Sequence, residues 1–216
     1  IKPMLNSYPS KTLHTSASPS YGLSLLSKLF LAFIAYAPYV ICKHTIYGHK
    51  LNKSFFTRLY EEINFLGYSV PPSDGAEGGD GKYDVYIQNL SGLYGYTQFE
   101  TKVAESHWTS FMMIDNDYVG YNSTGINGAR VTVAHEFHHG IQSGSYAPVG
   151  SNSPFRSSDV FYYEITSTAF EEFVFDDVND YYAYMPTYFQ NPETAMSLND
   201  GYNLAIWNIY LQDNFG

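Results

Sequence analysis

One stretch of the chain, residues 131–142, constrains the fold more than any other. It reads VTVAHEFHHGIQ and contains the pattern H-E-x-x-H, in which His135 and His139 are four residues apart and Glu136 follows the first histidine. On an α-helix, a four-residue step places both imidazoles on the same face, one turn apart. At that separation, one nitrogen of each ring can bind a single tetrahedral Zn²⁺. The stretch therefore predicts a helix that carries two ligands of one metal ion.

The glutamate of the pattern suits a role other than that of a ligand. On the helix, Glu136 lies about 100° round from His135, so its carboxylate can face a water at the metal without binding the ion. The alternative interpretation of the pattern is a histidine-rich surface helix. His138 points about 60° away from His135, which favours a packing or surface histidine over a further ligand.

Charge and composition narrow the class of function. The net charge is −10 at pH 7 and only 15% of residues are charged. No basic patch is available to neutralise phosphates, so we exclude nucleic acid as a partner. Lys and Arg are scarce whereas Tyr, Ser, Asn and Gly are abundant, which favours a secreted or cell-surface location. The single cysteine, Cys42, excludes an internal disulfide.

The most apolar run of the chain covers residues 23–42. Its uncharged part, residues 29–42, has 14 residues, whereas a transmembrane helix needs about 20. Lys28 and Pro38 weaken the membrane interpretation further. We therefore expect a buried core helix here and no membrane span. A signal-peptide core is the alternative, because residues 35–37 have the A-x-A form.

Four segments before the motif have the patterns of regular structure. Residues 55–65 show helical spacing of apolar side chains. Residues 83–90, 95–101 and 110–115 are typical of strands, the first by its alternation. Three strands followed by the motif helix predict an α+β lobe in which that helix packs on a sheet.

The loop at residues 71–81 is rich in glycine and proline, and it precludes regular structure. In and just after it lie carboxylates that could bind Ca²⁺: Asp74, Glu77, Asp80 and Asp84. Their spacing differs from that of an EF-hand loop, so turn chemistry is the favoured interpretation. Residues 115–117, Asp-Asn-Asp, could form a turn, bind Ca²⁺ or orient a metal ligand, and a turn is the favoured interpretation.

Two histidines leave a zinc site incomplete, because catalytic zinc takes three protein ligands and a water. Residues 159–180 predict a second helix, which contains Glu164, Glu171 and Glu172. Glu164 and Glu171 share a face but lie about 10.5 Å apart along the axis, so they cannot both bind one ion. Glu164 follows apolar aromatic residues, where an unpaired carboxylate is costly. We therefore expect Glu164 to be the third ligand and Glu171 to orient an imidazole.

An H-E-x-x-H pattern followed by a glutamate on a second helix resembles the gluzincin class of zinc metallopeptidases. More narrowly, the chain resembles a family of secreted bacterial zinc metalloproteases known mostly from sequence. The similar segments cover most of residues 67–216 in order: GYSVPPSDGAEGGDGKYDVYIQNL, YGYT, FMMIDNDY, RVTVAHEFHHGIQ, YYEITSTAFEEFVFDDVNDYYAYM and GYNLAIWNIYLQDNFG. The third ligand in that family is the glutamate of an E-x-T-A-like element, which corresponds to Glu164. Ser167 and Ala169 replace the Ala and Trp expected there, which alters packing beside the ligand but not the ligand set.

The resemblance implies a zincin-like metalloprotease domain of the α+β class. In such a domain, a small sheet and the active-site helix are followed by a mostly helical C-terminal part. We expect it to span residues 49–216 and to be truncated, because the family's C-terminal modules are missing. Residues 1–48 lack the family's I-H-Y-D-T-like strand and its Asp/Asn/Gly-rich segment. They form an uncertain N-terminal segment, either diverged or artefactual.

The expected activity is that of a zinc metallopeptidase with a protein or peptide substrate. The expected ligands are His135, His139 and Glu164. Glu136 would act as general base on the attacking water. Tyr202 is the candidate to stabilise the oxyanion, with core packing as its alternative role. Residues 110–115 are the expected edge strand along which the substrate aligns. The alternative function is an inactive, zinc-stabilised binding or adhesion module of a larger surface protein.

Overall fold

Helices and a small mixed sheet make up the fold, which a computed structural model describes over residues 40–42, 53–79 and 81–215. The strands are β1 (Val40–Cys42), β2 (Tyr83–Gln88), β3 (Gly95–Ala104) and β4 (His107–Asp115). The helices are α1 (Lys53–Phe65), α2 (Gly125–Ser145), α3 (Val160–Val174), α4 (Met185–Gln190) and α5 (Ala205–Phe215). The expected α+β class is confirmed, as are the predicted helix at 55–65 and the three predicted strands.

The sheet has the strand order β1-β2-β4-β3. β2 pairs in parallel with β1 and with β4, whereas β3 and β4 form an antiparallel hairpin. The prediction that residues 110–115 form an edge strand is therefore wrong. This segment belongs to β4, whose backbone groups bond β3 on one side and β2 on the other. The edge of the described sheet beside this hairpin is β3, and a free edge is where an added strand can pair.

The apolar run at residues 23–42 lies mostly outside the described residues, so the expected core helix there has no structural counterpart to compare. Its last three residues, Val40–Cys42, form the strand β1, which pairs with β2, so the expectation of a helix is wrong for these three residues. Among the residues that the structure describes, no helix combines the length and hydrophobicity needed to cross a membrane.

The motif helix α2 lies in the centre of the fold. It packs on β3 and β4 and on α3, so every residue from Val131 to Gly144 is buried. The surface-helix interpretation of the motif is therefore wrong. Gly140 lies inside α2 and does not end it. A Cβ there would lie 2.8 Å from the hydroxyl oxygen of Tyr83 on β2, so glycine permits the close approach of helix and sheet.

The second predicted helix, α3, ends at Val174, earlier than residue 180. The last helical hydrogen bond runs from the Phe175 N–H to the Glu171 carbonyl oxygen at 2.8 Å. Beyond it, Asp177 forms an ion pair with Arg130 of α2. The Arg130 guanidinium also lies 4.7 Å from the centre of the Phe175 ring, a cation–π contact. These contacts tie the segment after α3 to α2.

A pH-dependent effect on stability is expected at Glu100 of β3. Burial, and then the charges of Glu77, Asp74 and Asp84, raise its pKa from 4.5 to about 7. Between these pH values the folded chain holds a proton that the unfolded chain has lost, so stability falls as the pH rises. Glu100→Gln should therefore raise the Tm by about 2 °C at pH 8 and leave it unchanged near pH 4.

Thermal unfolding followed by circular dichroism at the two pH values measures this difference. Glu193→Gln, the same change at an exposed residue, is the matched control and should shift the Tm equally little at both. An identical effect of Glu100→Gln at pH 4 and pH 8 would contradict the prediction.

Candidate metal centre

Two helices bring three side chains to one point, His135 and His139 from α2 and Glu164 from α3. The Nε2 atoms of the two histidines are 3.1 Å apart. Oε2 of Glu164 lies 3.1 Å from Nε2 of His135 and 3.5 Å from Nε2 of His139. Tetrahedral zinc with bonds of about 2.0–2.1 Å needs ligand atoms about 3.3 Å apart. This buried group could therefore hold a metal ion.

The negative charges of Glu164 and Glu171 favour a cation at this cluster. Burial alone would raise the pKa of Glu164, but the two imidazoles outweigh burial and hold that pKa well below its ordinary value. Burial likewise lowers the pKa of His135, but Glu164 and Glu171 outweigh it and raise the pKa well above its ordinary value. The carboxylates thus stabilise positive charge at this place, whether it comes from a proton or from a metal ion.

The outer nitrogen of each imidazole is held by an oxygen. Nδ1 of His135 lies 2.7 Å from Oε1 of Glu171, and Nδ1 of His139 lies 2.8 Å from Oε1 of Gln142. Burial raises the pKa of Glu171 to about 7, an effect that His135 partly offsets. An ionised carboxylate and an amide oxygen only accept hydrogen bonds, so with Glu171 ionised each Nδ1 carries the hydrogen. In neutral rings the lone pairs on both Nε2 atoms are then directed at the shared point, which is how metal-binding histidines are oriented. Glu171 thus contacts His135, as expected for the residue predicted to orient an imidazole.

Removing the charge of Glu171 should weaken metal binding. In Glu171→Gln, an amide oxygen can still accept from His135, but it no longer raises the basicity of the ring. We expect the Kd for Zn²⁺ to rise by about 10–100-fold. Competition with a chromophoric chelator measures this Kd. Glu172→Gln makes the same change at the next residue and should leave the Kd unaltered; equal Kd values for the two variants would contradict the prediction.

The carboxylate of Glu136 is fixed at one oxygen and open at the other. The side chain is 0% exposed. Oγ1 of Thr97, on β3, lies 2.9 Å from Oε2 of Glu136 and 2.7 Å from its carbonyl oxygen. Oε1 has no hydrogen-bond partner among the described residues. Burial raises the pKa of Glu136, which the histidines partly offset. A raised pKa suits a carboxylate that takes and returns a proton near neutral pH.

The structure also brings Tyr202 to this cluster. Its ring stacks on His135, with the centroids 5.6 Å apart and the planes 8° from parallel. The side chain is 5% exposed, and its hydroxyl has no hydrogen-bond partner in the described part of the chain. Burial, followed by the charge of Glu164, raises its pKa well above the ordinary value. The hydroxyl therefore keeps its hydrogen and can donate it.

A small cavity of about 20 Å³ adjoins the cluster, with Glu136, Glu171 and Tyr202 among its lining residues. Each of these three side chains has a buried oxygen without a partner among the described residues. A volume of about 10–15 Å³ suffices for one water, which needs two to four polar partners. The cavity therefore has the size and the polar groups to hold one water molecule.

His138 lies outside the metal cluster and packs as expected. Its ring stacks on Phe170 with the centroids 4.9 Å apart, and Tyr68 meets it edge-on at 5.3 Å. Nδ1 lies 3.0 Å from Oγ of Ser167. Burial holds the pKa of His138 well below its ordinary value, so the ring is neutral at pH 7.

The described residues of the acidic loop at 71–81 do not form a comparable group. Within the described ranges, which omit Asp80, the only His/Cys/Asp/Glu group close enough to hold an ion is that of His135, His139 and Glu164. Oγ of Ser73 accepts from the Gly75 N–H at 3.1 Å and donates to the Gly81 carbonyl at 3.0 Å. These bonds are turn chemistry, as the sequence favoured.

Asp115 likewise has a structural role at the end of β4. Its carboxylate accepts hydrogen bonds of 2.8 to 3.1 Å from the backbone N–H groups of Leu90, Asp117 and Tyr118. Three such bonds close the turn after the strand and tie it to the end of β2. The default interpretation of residues 115–117 as a turn therefore agrees with the structure.

Comparison with known proteins gives no relative, since no family model, no curated protein and no solved structure matches this chain. Membership of the gluzincin class therefore stays a prediction, supported by the sequence pattern and by the geometry of the cluster. Thr97 and Gln142 are the contacts that sequence reasoning missed. Gln142 lies three residues after His139 on α2, a spacing that brings side chains together. Thr97 is distant in sequence, and no pattern marks it.

Proposed function

We propose that this protein is a zinc-dependent metallopeptidase of the gluzincin type, with a zincin-like fold. The observation that carries the proposal is the spacing of His135, His139 and Glu164, which matches three corners of a tetrahedron around zinc. Two imidazoles and a carboxylate with one position open are the donor set of hydrolytic zinc sites. Glu136 beside them supplies a base, which an ion used only for stability would not need.

The bound ion and the side chains of the protein would supply different parts of the reaction. When bound, zinc lowers the pKa of a water toward about 7 and polarises the substrate carbonyl. Glu136 accepts the proton of the attacking water at Oε1, the oxygen that Thr97 leaves open, and passes it to the nitrogen of the leaving amine. Tyr202 donates its hydroxyl hydrogen to the carbonyl oxygen as negative charge develops there.

The substrate aligns along β3 in this proposal, in place of residues 110–115. β3 is an edge of the described sheet, so an extended peptide can pair with it. Thr97 of this strand contacts Glu136 directly. A peptide paired with β3 therefore passes close to the proposed base. The substrate is a protein or peptide in extended conformation, met outside the cell or at its surface.

Zinc-dependent cleavage of an unfolded protein tests the proposal. The purified chain is incubated with reduced, denatured casein, and the products are identified by mass spectrometry. We expect cleavage that a chelator abolishes and that one equivalent of Zn²⁺ restores. Absence of cleavage by the zinc-loaded, folded protein would contradict the proposal.

The burial of the site favours one second candidate, an inactive module that zinc stabilises. His135, His139 and Glu164 are each no more than 3% exposed, as in a closed structural site. Such a module would gain thermal stability from zinc without cleaving any substrate. Metal-dependent unfolding and the casein assay, done on the same preparation, separate the two functions.

Thr97→Val tests how the base is held. Valine keeps the shape of threonine but cannot donate to Glu136, so the carboxylate loses its fixed orientation. We expect kcat to fall about tenfold, less than the roughly 10²–10⁴-fold that a positioned base contributes in full, with KM and zinc content unchanged. Thr97→Ser keeps the hydroxyl and should retain most of kcat. A kcat equal to that of the unmodified protein in the valine variant would contradict this role.

A further inference from the structure

A cavity of about 500 Å³ opens beside the metal centre, on the side of α2 that carries His138 and Gln142. Gln142 holds Nδ1 of His139, so the cavity lies behind that imidazole and away from the nitrogen that faces the ion. Its volume is in the range of small-molecule sites, about 300–1,000 Å³. It is therefore separate from the place where peptide cleavage is proposed.

The walls of this cavity are aromatic and its floor is closed. Tyr146 and Tyr162 stand at the mouth and are each 54% exposed. His138 and Ile141 lie at the floor, with 3% and 0% exposure. Tyr68 lines the space between them and packs edge-on against both His138 and Tyr146. Such walls suit a planar aromatic ring, because aromatic rings prefer edge-to-face and offset contacts.

The floor offers a hydrogen-bonding group in the imidazole of His138, which lines the cavity. Nδ1 of His138 lies 3.0 Å from Oγ of Ser167 and 3.1 Å from Nε2 of Gln142, two groups that can each donate to it. We assign Nδ1 as the acceptor in these contacts, which leaves the ring hydrogen on Nε2. A ligand that reaches the floor must therefore present an acceptor.

The charges around the cavity disfavour an anionic ligand. Among the described residues that line the cavity, Asp159 is the only charged one and none is Lys or Arg. The whole chain carries a net charge of −10, so the potential around the mouth is negative. The acceptor on the ligand is therefore an uncharged oxygen and not a carboxylate.

We propose that this cavity binds an uncharged aromatic ring carrying a hydroxyl group, such as a phenol or the side chain of tyrosine. The ring packs against Tyr68 and Tyr162, and its oxygen accepts from Nε2 of His138. Free phenols and tyrosine side chains of a peptide share this chemistry. The site does not depend on the proposed peptidase activity, because the ring lies on the far side of His139 from the ion.

Calorimetric titration of the full chain with 4-methylphenol tests the proposal. We expect a Kd of about 1 mM or tighter, consistent with eight non-hydrogen atoms. Toluene lacks the oxygen, and it should bind about tenfold more weakly because one hydrogen bond is lost. A second titration uses N-acetyltyrosinamide to distinguish the two sources of the ring. If it binds as tightly as 4-methylphenol, the ligand is a tyrosine side chain of a peptide. If it binds much more weakly, the ligand is a free phenol.

Tyr162→Ala and Tyr182→Ala form a matched pair of variants. Both tyrosines are 54% exposed, but only Tyr162 lines the cavity. Binding of 4-methylphenol should weaken about fivefold or more in the first variant and stay unchanged in the second. The proposal would be overturned by equal binding of toluene and 4-methylphenol, or by equal effects of the two variants. It would also be overturned if tetramethylammonium, a cation, bound more tightly than 4-methylphenol.

Discussion

Glu136→Gln should retain zinc with unchanged affinity and should cleave its substrate about a thousandfold more slowly. Glutamine has the size of glutamate and can still accept from Thr97, but its amide cannot take up a proton. The side chain is 0% exposed, so no solvent group replaces the lost base. A positioned acid–base residue contributes about 10²–10⁴-fold to a rate, and the expected loss lies within this range.

Two measurements on one preparation check this result, kcat on a labelled peptide and the Kd for Zn²⁺. Glu61→Gln, the same change at an exposed residue of α1, should alter neither. Retained activity in the Glu136 variant would contradict the role of general base. Loss of zinc together with activity would show that Glu136 supports the ion rather than the reaction.

Glu164→Gln should abolish tight zinc binding and the stability that zinc provides. Zinc present at about a thousandfold excess over its Kd stabilises the folded state by about 4 kcal/mol. For a chain of this length that corresponds to a rise in Tm of about 8–16 °C. An amide oxygen is a poor ligand for zinc, so we expect the variant to gain no more than a few degrees.

The measurement is the Tm with and without zinc, followed by circular dichroism. Glu164→Asp keeps the charge but shortens the reach, and it should recover part of the gain. Glu172→Gln on the same helix should gain as much from zinc as the unmodified protein. A full zinc-dependent rise in Tm for Glu164→Gln would contradict its assignment as the third ligand.

The cluster that the sequence predicted rests on two kinds of argument, local geometry for the histidines and burial for the glutamate. His135 and His139 share a face because any α-helix places residues four apart on one side. Glu164 comes from another helix, and the argument for it was energetic, since a carboxylate in an apolar segment needs a partner. The structure places its carboxylate 3.1 Å from Nε2 of His135.

The features that sequence reasoning missed depend on contacts between distant segments. Residues 110–115 have a pattern typical of a strand, but their central position follows from pairing with β2, which no local pattern specifies. Thr97 meets Glu136 because β3 lies against α2, a contact over 39 residues of sequence. Gly140 lies within α2 because the packing of Tyr83 against it outweighs the low helix propensity of glycine.

A crystal structure of the zinc-loaded protein, with anomalous diffraction recorded at the zinc absorption edge, tests the central claim most directly. We predict one strong anomalous peak, about 2.0–2.1 Å from Nε2 of His135, Nε2 of His139 and a carboxylate oxygen of Glu164. A peak elsewhere in the chain, or a zinc ion bound by the histidines with Glu164 turned away, would contradict it.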